Sequence, residues 1–263
     1  MQNKKVLIIS SEVIPYLPQT PRSINSFKTP KKINDAGGQT RIFMPRYGLI
    51  NERRHQLHEV IRLSGMNLVI NDMDMPLIIK VASIPKERMQ VYFIDNDEYF
   101  KRKEILHDAK GNLFKDNDER MIFFTKGVIE TVKKLNWSPD IIHLHGWFTS
   151  LFPLYMKTYF AQDPIFEQSK IVTSIYGNDM NGDLNSALKD KIAFDQVETN
   201  LETPHYEALM DLALEHSDGF VIESDQVPEG VVQKAEETGK PLLSFEASQT
   251  DEGHVDFFNA NFL

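Results

Sequence analysis

Asp140-Ile-Ile-His-Leu-His145 is the stretch on which the fold turns. It is short, almost continuously apolar and rich in isoleucine, without the strict alternation of a strand that has one wet face. That is the pattern of a parallel strand buried on both sides. Lys5-Val-Leu-Ile-Ile-Ser10, Arg41-Ile-Phe-Met-Pro45 and Lys170-Ile-Val-Thr-Ser-Ile175 read the same way, as does Gly219-Phe-Val-Ile-Glu223. Pro241-Leu-Leu-Ser-Phe245 is a candidate sixth strand.

Helical patterns lie between these runs. Met121 to Leu135 places Met121, Phe124, Val128, Ile129, Val132 and Leu135 on one face, and Asp116 with Glu119 is spaced as a capping box at its start. His205 to His216 carries Leu209, Met210, Leu212, Ala213 and Leu214. Strands alternating with helices predict βαβ units and hence an α/β fold with a doubly wound, mostly parallel, Rossmann-like sheet.

Two stretches break this rhythm. Asn67-Leu-Val-Ile70, Leu77-Ile-Ile-Lys-Val81 and Gln90-Val-Tyr-Phe-Ile-Asp95 follow one another without a helix between them, which predicts an antiparallel excursion or an extra hairpin. Pro18-Gln-Thr-Pro-Arg-Ser-Ile-Asn25 is prolyl and polar and reads as hostile to a helix start. The expected organisation is one domain over residues 1–246 and an acidic, aromatic C-terminal tail over 247–263. Gly37-Gly38 precedes a strand instead of opening a helix, so it reads as a helix-ending turn and not as a phosphate loop. Asp95 with Asp97 reads as a solvated turn.

The totals exclude several function classes. With no cysteine, thiol nucleophiles, disulfides, zinc-thiolate sites and iron–sulfur clusters are ruled out. A net charge of −9 argues against a sequence-independent grip on nucleic acid, which needs clustered cations. No apolar run approaches the roughly 18 residues of a membrane span, and Val6-Leu-Ile-Ile9 is too short for a signal peptide's core. The expectation is a cytoplasmic protein without membrane or nucleic-acid partners.

In an open α/β sheet, ligands bind beyond the carboxyl ends of the strands. That rule picks out Ser10, Ser11 and Glu12; His143, His145 and Trp147; Ser174, Tyr176 and Asn178; and Glu223 with Ser224. Glu12 suits the hydroxyls of a ligand or a backbone cap. Trp147 and Tyr176 offer flat faces for stacking on a ligand or for core packing. His143 and His145 share a strand face, which suits a metal or a pair of satisfied histidines, one buried and one at the sheet edge. The candidate ligand-binding residues are therefore Glu12, His143, His145, Trp147, Tyr176 and Asn178, with no catalytic residue, metal or cofactor assigned.

Read in order, five segments resemble the glycogen/starch synthases, retaining glycosyltransferases built from two Rossmann-like domains in the GT-B arrangement. They are Ser11-Glu-Val-Ile-Pro-Tyr-Leu17 and Phe43-Met-Pro-Arg-Tyr-Gly48, then Tyr92-Phe-Ile-Asp95 with Tyr99-Phe100, Asp116-Asn117 and Glu119-Arg120. Pro139-Asp-Ile-Ile-His-Leu-His-Gly-Trp147 and His216-Ser-Asp-Gly-Phe-Val-Ile-Glu-Ser224 complete the set. The resemblance runs from about Lys5 to Ser224 and implies the N-terminal domain of that architecture.

The departures from the family pattern matter as much. The loop after the first strand should continue Lys-Thr-Gly-Gly-Leu with an aspartate two residues on. Here Pro18 stands at the lysine, Thr20 and Pro21 at the glycines and Ile24 at the aspartate. Adjacent glycines let the backbone approach a phosphate or sugar, and lysine offsets the charge of a departing diphosphate; proline and isoleucine do neither. The family's sugar-contacting histidine aligns with Ile175, or with Tyr176 after a one-residue slip. The second domain, which in the family binds most of the nucleotide-sugar, would follow the residues given.

The resemblance thus implies a glycosyltransferase-like domain impaired in catalysis by itself, a pseudoenzyme that binds an α-glucan or nucleotide-sugar and regulates. One alternative is a subunit of a split transferase moving glucose from ADP-glucose to an α-1,4-glucan. The other is a scaffold repurposed for unrelated small-molecule chemistry. A homo-oligomer, a partner protein, the tail or the Pro18–Pro30 segment is expected to cover the exposed edge of the cleft.

Overall fold

The computed structural model describes residues 1–87 and 89–263. The first half of the chain forms β1 (Lys5–Ser10), α1 (Pro21–Asp35), β2 (Gln39–Pro45), α2 (Glu52–His55), β3 (His58–Glu59), β4 (Met66–Ile70), β5 (Met73–Ile84), β6 (Met89–Asp95), α3 (Asp97–Phe100) and α4 (Asn117–Leu135). The second half forms β7 (Ile141–His145), α5 (Leu151–Lys157), β8 (Lys170–Ile175), α6 (Leu188–Ala193), α7 (Tyr206–His216), β9 (Gly219–Ile222), α8 (Glu229–Glu237), β10 (Leu242–Leu243), α9 (Phe245–Ser248) and α10 (Gly253–Asn261).

The sheet runs β10-β9-β8-β7-β1-β2-β6-β5-β3, with β4 paired on β5. Every pairing from β10 to β6 is parallel. Continuous apolar runs placed β1 and β7 at its centre: Val6 to Ile9 and Ile141 to Leu144 are fully enclosed. The antiparallel excursion is the far edge of this same sheet, where β5 pairs with β6 on one side and with β4 and β3 on the other. The β4–β5 hairpin turns at Asn71, whose positive φ of 57° is tolerated by asparagine.

The helices form two groups. α4, α5, α7 and α8 pack in succession, while α10 contacts both α1 and α9. Right-handed crossovers leaving β1 in opposite directions put these groups on opposite faces of the sheet. The phenyl ring of Phe258 on α10 packs edge-on against the imidazole of His143, 5.3 Å between centroids. The last residues of the chain therefore cover the face that α1 leaves open beside it. Met1 is held there too, its amino group donating to Asn259 Oδ1 at 2.8 Å.

Three local expectations are corrected. The Pro18–Asn25 stretch opens α1: Thr20 caps it, its Oγ1 accepting from Ser23 N while Ser23 Oγ accepts from Thr20 N. Pro21 occupies the first helical position, where the missing amide is no loss and the fixed φ is an advantage. The Asp116–Glu119 capping box does not form, because the Asp116 carboxylate is drawn off by the guanidinium of Arg102. Asp95 is buried, not solvated, held by Arg46 Nε at 3.0 Å and Lys80 Nζ at 3.1 Å. Gly37, at φ 88°, does end α1 as its spacing predicts.

Candidate functional site

Register brings Ser10, His145 and Ser174 into one row across β1, β7 and β8 at their carboxyl ends. Parallel neighbours in register point to the same face, here the one covered by α1 and α10. Two polar clusters grow from this row.

The first is a charge clamp. The loop leaving β1 is tightened by Ser10, whose Oγ accepts from Glu12 N at 3.1 Å and donates to Glu12 O at 2.8 Å. Glu12 is thereby turned inward, where Oε2 accepts from Thr20 Oγ1 at 2.7 Å and Oε1 from Arg22 Nη1 at 2.8 Å. The other arm of Arg22 donates to Asp179 Oδ2 at 2.8 Å, and Trp147 Nε1 donates to Asp179 Oδ1 at 2.9 Å. The guanidinium also lies 5.3 Å from the centroid of the Tyr176 ring. Burial works against its charge, but Asp179 and Glu12 outweigh it and hold the pKa above its ordinary value. Gly146, at φ 79°, lets the backbone pass beneath: a Cβ there would stand 2.4 Å from Arg22 Nε.

The second cluster is more enclosed. Glu223, at the end of β9, accepts from Ser174 Oγ at 3.0 Å, Asn25 Nδ2 at 2.9 Å and His254 Nε2 at 2.9 Å. His143 Nε2 lies 2.7 Å from Ser174 Oγ. Ser174 gives its one proton to the carboxylate, so His143 Nε2 must donate to Ser174, leaving the His143 Nδ1 lone pair bare. Nδ1 has no partner among the described residues, and neither has His145 Nε2. The His145 Nδ1 lies 2.9 Å from the Tyr176 hydroxyl.

Burial sets the protonation of this half. His143 is held well below the ordinary imidazole pKa by burial and by its histidine neighbours. His145 is pushed down to about 3, chiefly by burial. Burial also drives the Tyr176 phenol well above its usual value. For Glu223 burial pulls upward, yet the hydrogen bond and charge of His254, with His145 and Ser174, bring the carboxyl below its usual value.

The sequence-predicted residues fall out unequally. Glu12 and Trp147 join the first cluster, His143 the second, and His145 and Tyr176 connect them. Asn178 joins neither; it is exposed, and its side chain folds back to accept from Met180 N. The two histidines are both fully enclosed, which corrects the expectation of one at an edge: β7 is a central strand. Trp147 is 1 % exposed, so its indole packs instead of offering an open stacking face. Arg22, Asn25, Asp179 and His254 were missed. Arg22 stands in the loop already marked as aberrant, which was a signal; His254 had none. The Ser174 hydroxyl is tied to a carboxylate and has no free base beside it, so the arrangement does not support nucleophilic catalysis.

The comparisons with known proteins agree with this architecture. Residues 5–241 match the family described as the starch synthase catalytic domain. A glycogen synthase of Chlorobium phaeobacteroides is 35% identical over 90% of this chain and 49% of its own length. That of Chlorobium limicola is 36% identical over 76% of this chain and 41% of its own. The chain thus spans about half the length of the relatives it matches. Among solved structures, the catalytic domain of Starch Synthase IV from Arabidopsis thaliana, bound to ADP and acarbose, superposes with a TM-score of 0.69 over 84% of this chain and 45% of that one. At 15% identity that likeness speaks for the fold alone. Strand order, ordered motifs and this match over most of its length together place the chain in the starch synthase catalytic domain family, as a glycogen/starch synthase-like glycosyltransferase domain.

Proposed function

We propose that this domain binds an α-glucan and does not transfer glucose by its own residues, serving a regulatory or scaffolding part in glucan metabolism. The observation that carries the reading is the clamp on Arg22. In the resembling family the loop after the first strand presents a lysine and two glycines to a nucleotide-sugar. Here the same loop is a capped helix start, and its one enclosed cation has both arms occupied by Glu12 and Asp179. A diphosphate arriving at this edge would meet the carboxylate of Asp179 and the amide of Asn178 before any unpaired cation of the loop. A carboxylate suits sugar hydroxyls and repels phosphate. That favours a neutral glucan over ADP-glucose as the ligand.

Ligand-observed NMR on the purified chain, with ADP-glucose, UDP-glucose and maltoheptaose together, tests this. Saturation transfer to maltoheptaose alone, with no glucosyl transfer from either donor, is the expected result. Transfer to ADP-glucose, or glucan elongation by this chain alone, would overturn it.

A further inference from the structure

We propose that His143, Glu223 and His254 form a binding site for a zinc-class divalent cation, which would fasten α10 to the sheet. One ligand atom from each lies within 4.8 Å of the others, and all three residues are buried. Two imidazoles and a carboxylate are a donor set suited to zinc, and too nitrogen-rich for magnesium or calcium.

The spacing is already close to what a cation requires. Tetrahedral zinc at about 2.0–2.1 Å from each ligand sets its ligand atoms about 3.3 Å apart. Glu223 Oε1 and His254 Nε2 stand 2.9 Å apart. Ser174 Oγ lies 3.0 Å from that same carboxylate oxygen and 2.7 Å from His143 Nε2, which leaves Nδ1 as the nitrogen that His143 can offer without giving up a hydrogen bond. An ion on His254 Nε2 would require that nitrogen's proton to move to Nδ1 and these side chains to move apart.

A further observation points to a ligand: among the described residues His143 Nδ1 is buried with no partner, and so is His145 Nε2, whose ring lies 4.2 Å from that of His143. A core histidine that serves packing alone normally has both nitrogens satisfied. Arg22, in the adjoining cluster, is offset by Glu12 and Asp179 and does not oppose a second positive charge unaided.

The three ligands come from β7, the end of β9 and α10, which are distant in sequence. The ion would therefore stabilise the docking of the chain's last helix. This reading is independent of glucan binding, and its test contains no glucan.

The test uses tag-free protein stripped with EDTA, titrated with zinc chloride by calorimetry and then unfolded by heat. The expected result is one site per chain and a rise in Tm of about 5 °C at free zinc about a hundredfold above its Kd. His254→Gln is the deciding variant, because its amide can still donate to Glu223 and keep α10 docked while removing a ligand. In that variant the affinity should fall by more than about tenfold and the Tm rise should vanish. No heat and no Tm change in the native chain would overturn the proposal, leaving a hydrogen-bonded polar core only. Binding that persists unchanged in His254→Gln would also overturn it, by placing the zinc on surface histidines.

Discussion

The two halves of the carboxyl edge solve the burial of polar groups in different ways. Around Arg22, opposite charges are paired, and the cluster keeps an outlet to water: the Asp179 side chain is 54% exposed, against 5% for Arg22 and 9% for Glu12. Around Glu223 the carboxylate itself is fully enclosed, and it is balanced by a serine, an amide and an imidazole drawn from three separate elements, of which only the amide of Asn25 is partly exposed. The clamp is mostly local, since Glu12, Thr20 and Arg22 lie on one loop and the helix it opens. The more enclosed half exists only when α10 is docked. The loop after β1 can thus be held rigid by its own sequence, while the neighbouring pocket depends on the far end of the chain.

The largest expected effect is on the clamp. Arg22→Ala should destabilise the protein by about 3–5 kcal/mol, because it leaves the Glu12 carboxylate buried without its cation. Most of that belongs to Glu12, since the Asp179 arm is screened by solvent. Urea unfolding measures it, and a loss under about 1 kcal/mol would mean that water reaches Glu12.

The more enclosed half is broken by acid. The folded pKa values of His143 and His145 lie below the unfolded value near 6.5, so in between the unfolded chain binds more protons and stability rises with pH. Below about pH 6.5 the fold should lose up to about 3 kcal/mol per pH unit, with about two protons taken up on unfolding. Glu223 does not offset this loss. Its folded pKa is depressed, so its contribution stays until the pH falls through the acidic carboxylate range. Urea unfolding at pH 7, 6 and 5 reads the slope, and a flat profile would place at least one ring in contact with water.

The smallest effect sharpens the comparison on the loop side. Thr20→Ala removes the cap of α1 and one hydrogen bond to Glu12, which should cost about 1–2 kcal/mol. The same variant should leave the acid slope unchanged, because Thr20 touches none of the histidines. A changed slope would show that the two clusters titrate together.

Much of this fold was legible before any coordinates. β1 and β8 have the bounds that their apolar runs predict, and β2, β7 and β9 differ at their ends by one or two residues. The readings that failed share one cause. Pro18–Asn25 was judged by proline content, although Pro21 behind a capping threonine is a good helix start. Asp116 was judged by its spacing to Glu119, although Arg102 competes for it. In both places a local rule gave way to a more specific contact.

The site divides along the same line. The sequence by itself determined that a row of polar residues would stand at the carboxyl ends of buried parallel strands, because strand period and sheet class follow from short-range pattern. It also showed that, where the resembling family has its lysine and glycines, the loop after β1 carries Pro18, Thr20 and Pro21. Only the tertiary structure decided that Arg22 meets Asp179 across 157 residues, and that His254 on the last helix reaches Glu223. Hydrophobic periodicity specifies which face of an element is buried, but not which polar groups of two distant elements will share that burial; their pairing is settled when packing removes water and leaves each group only its neighbours.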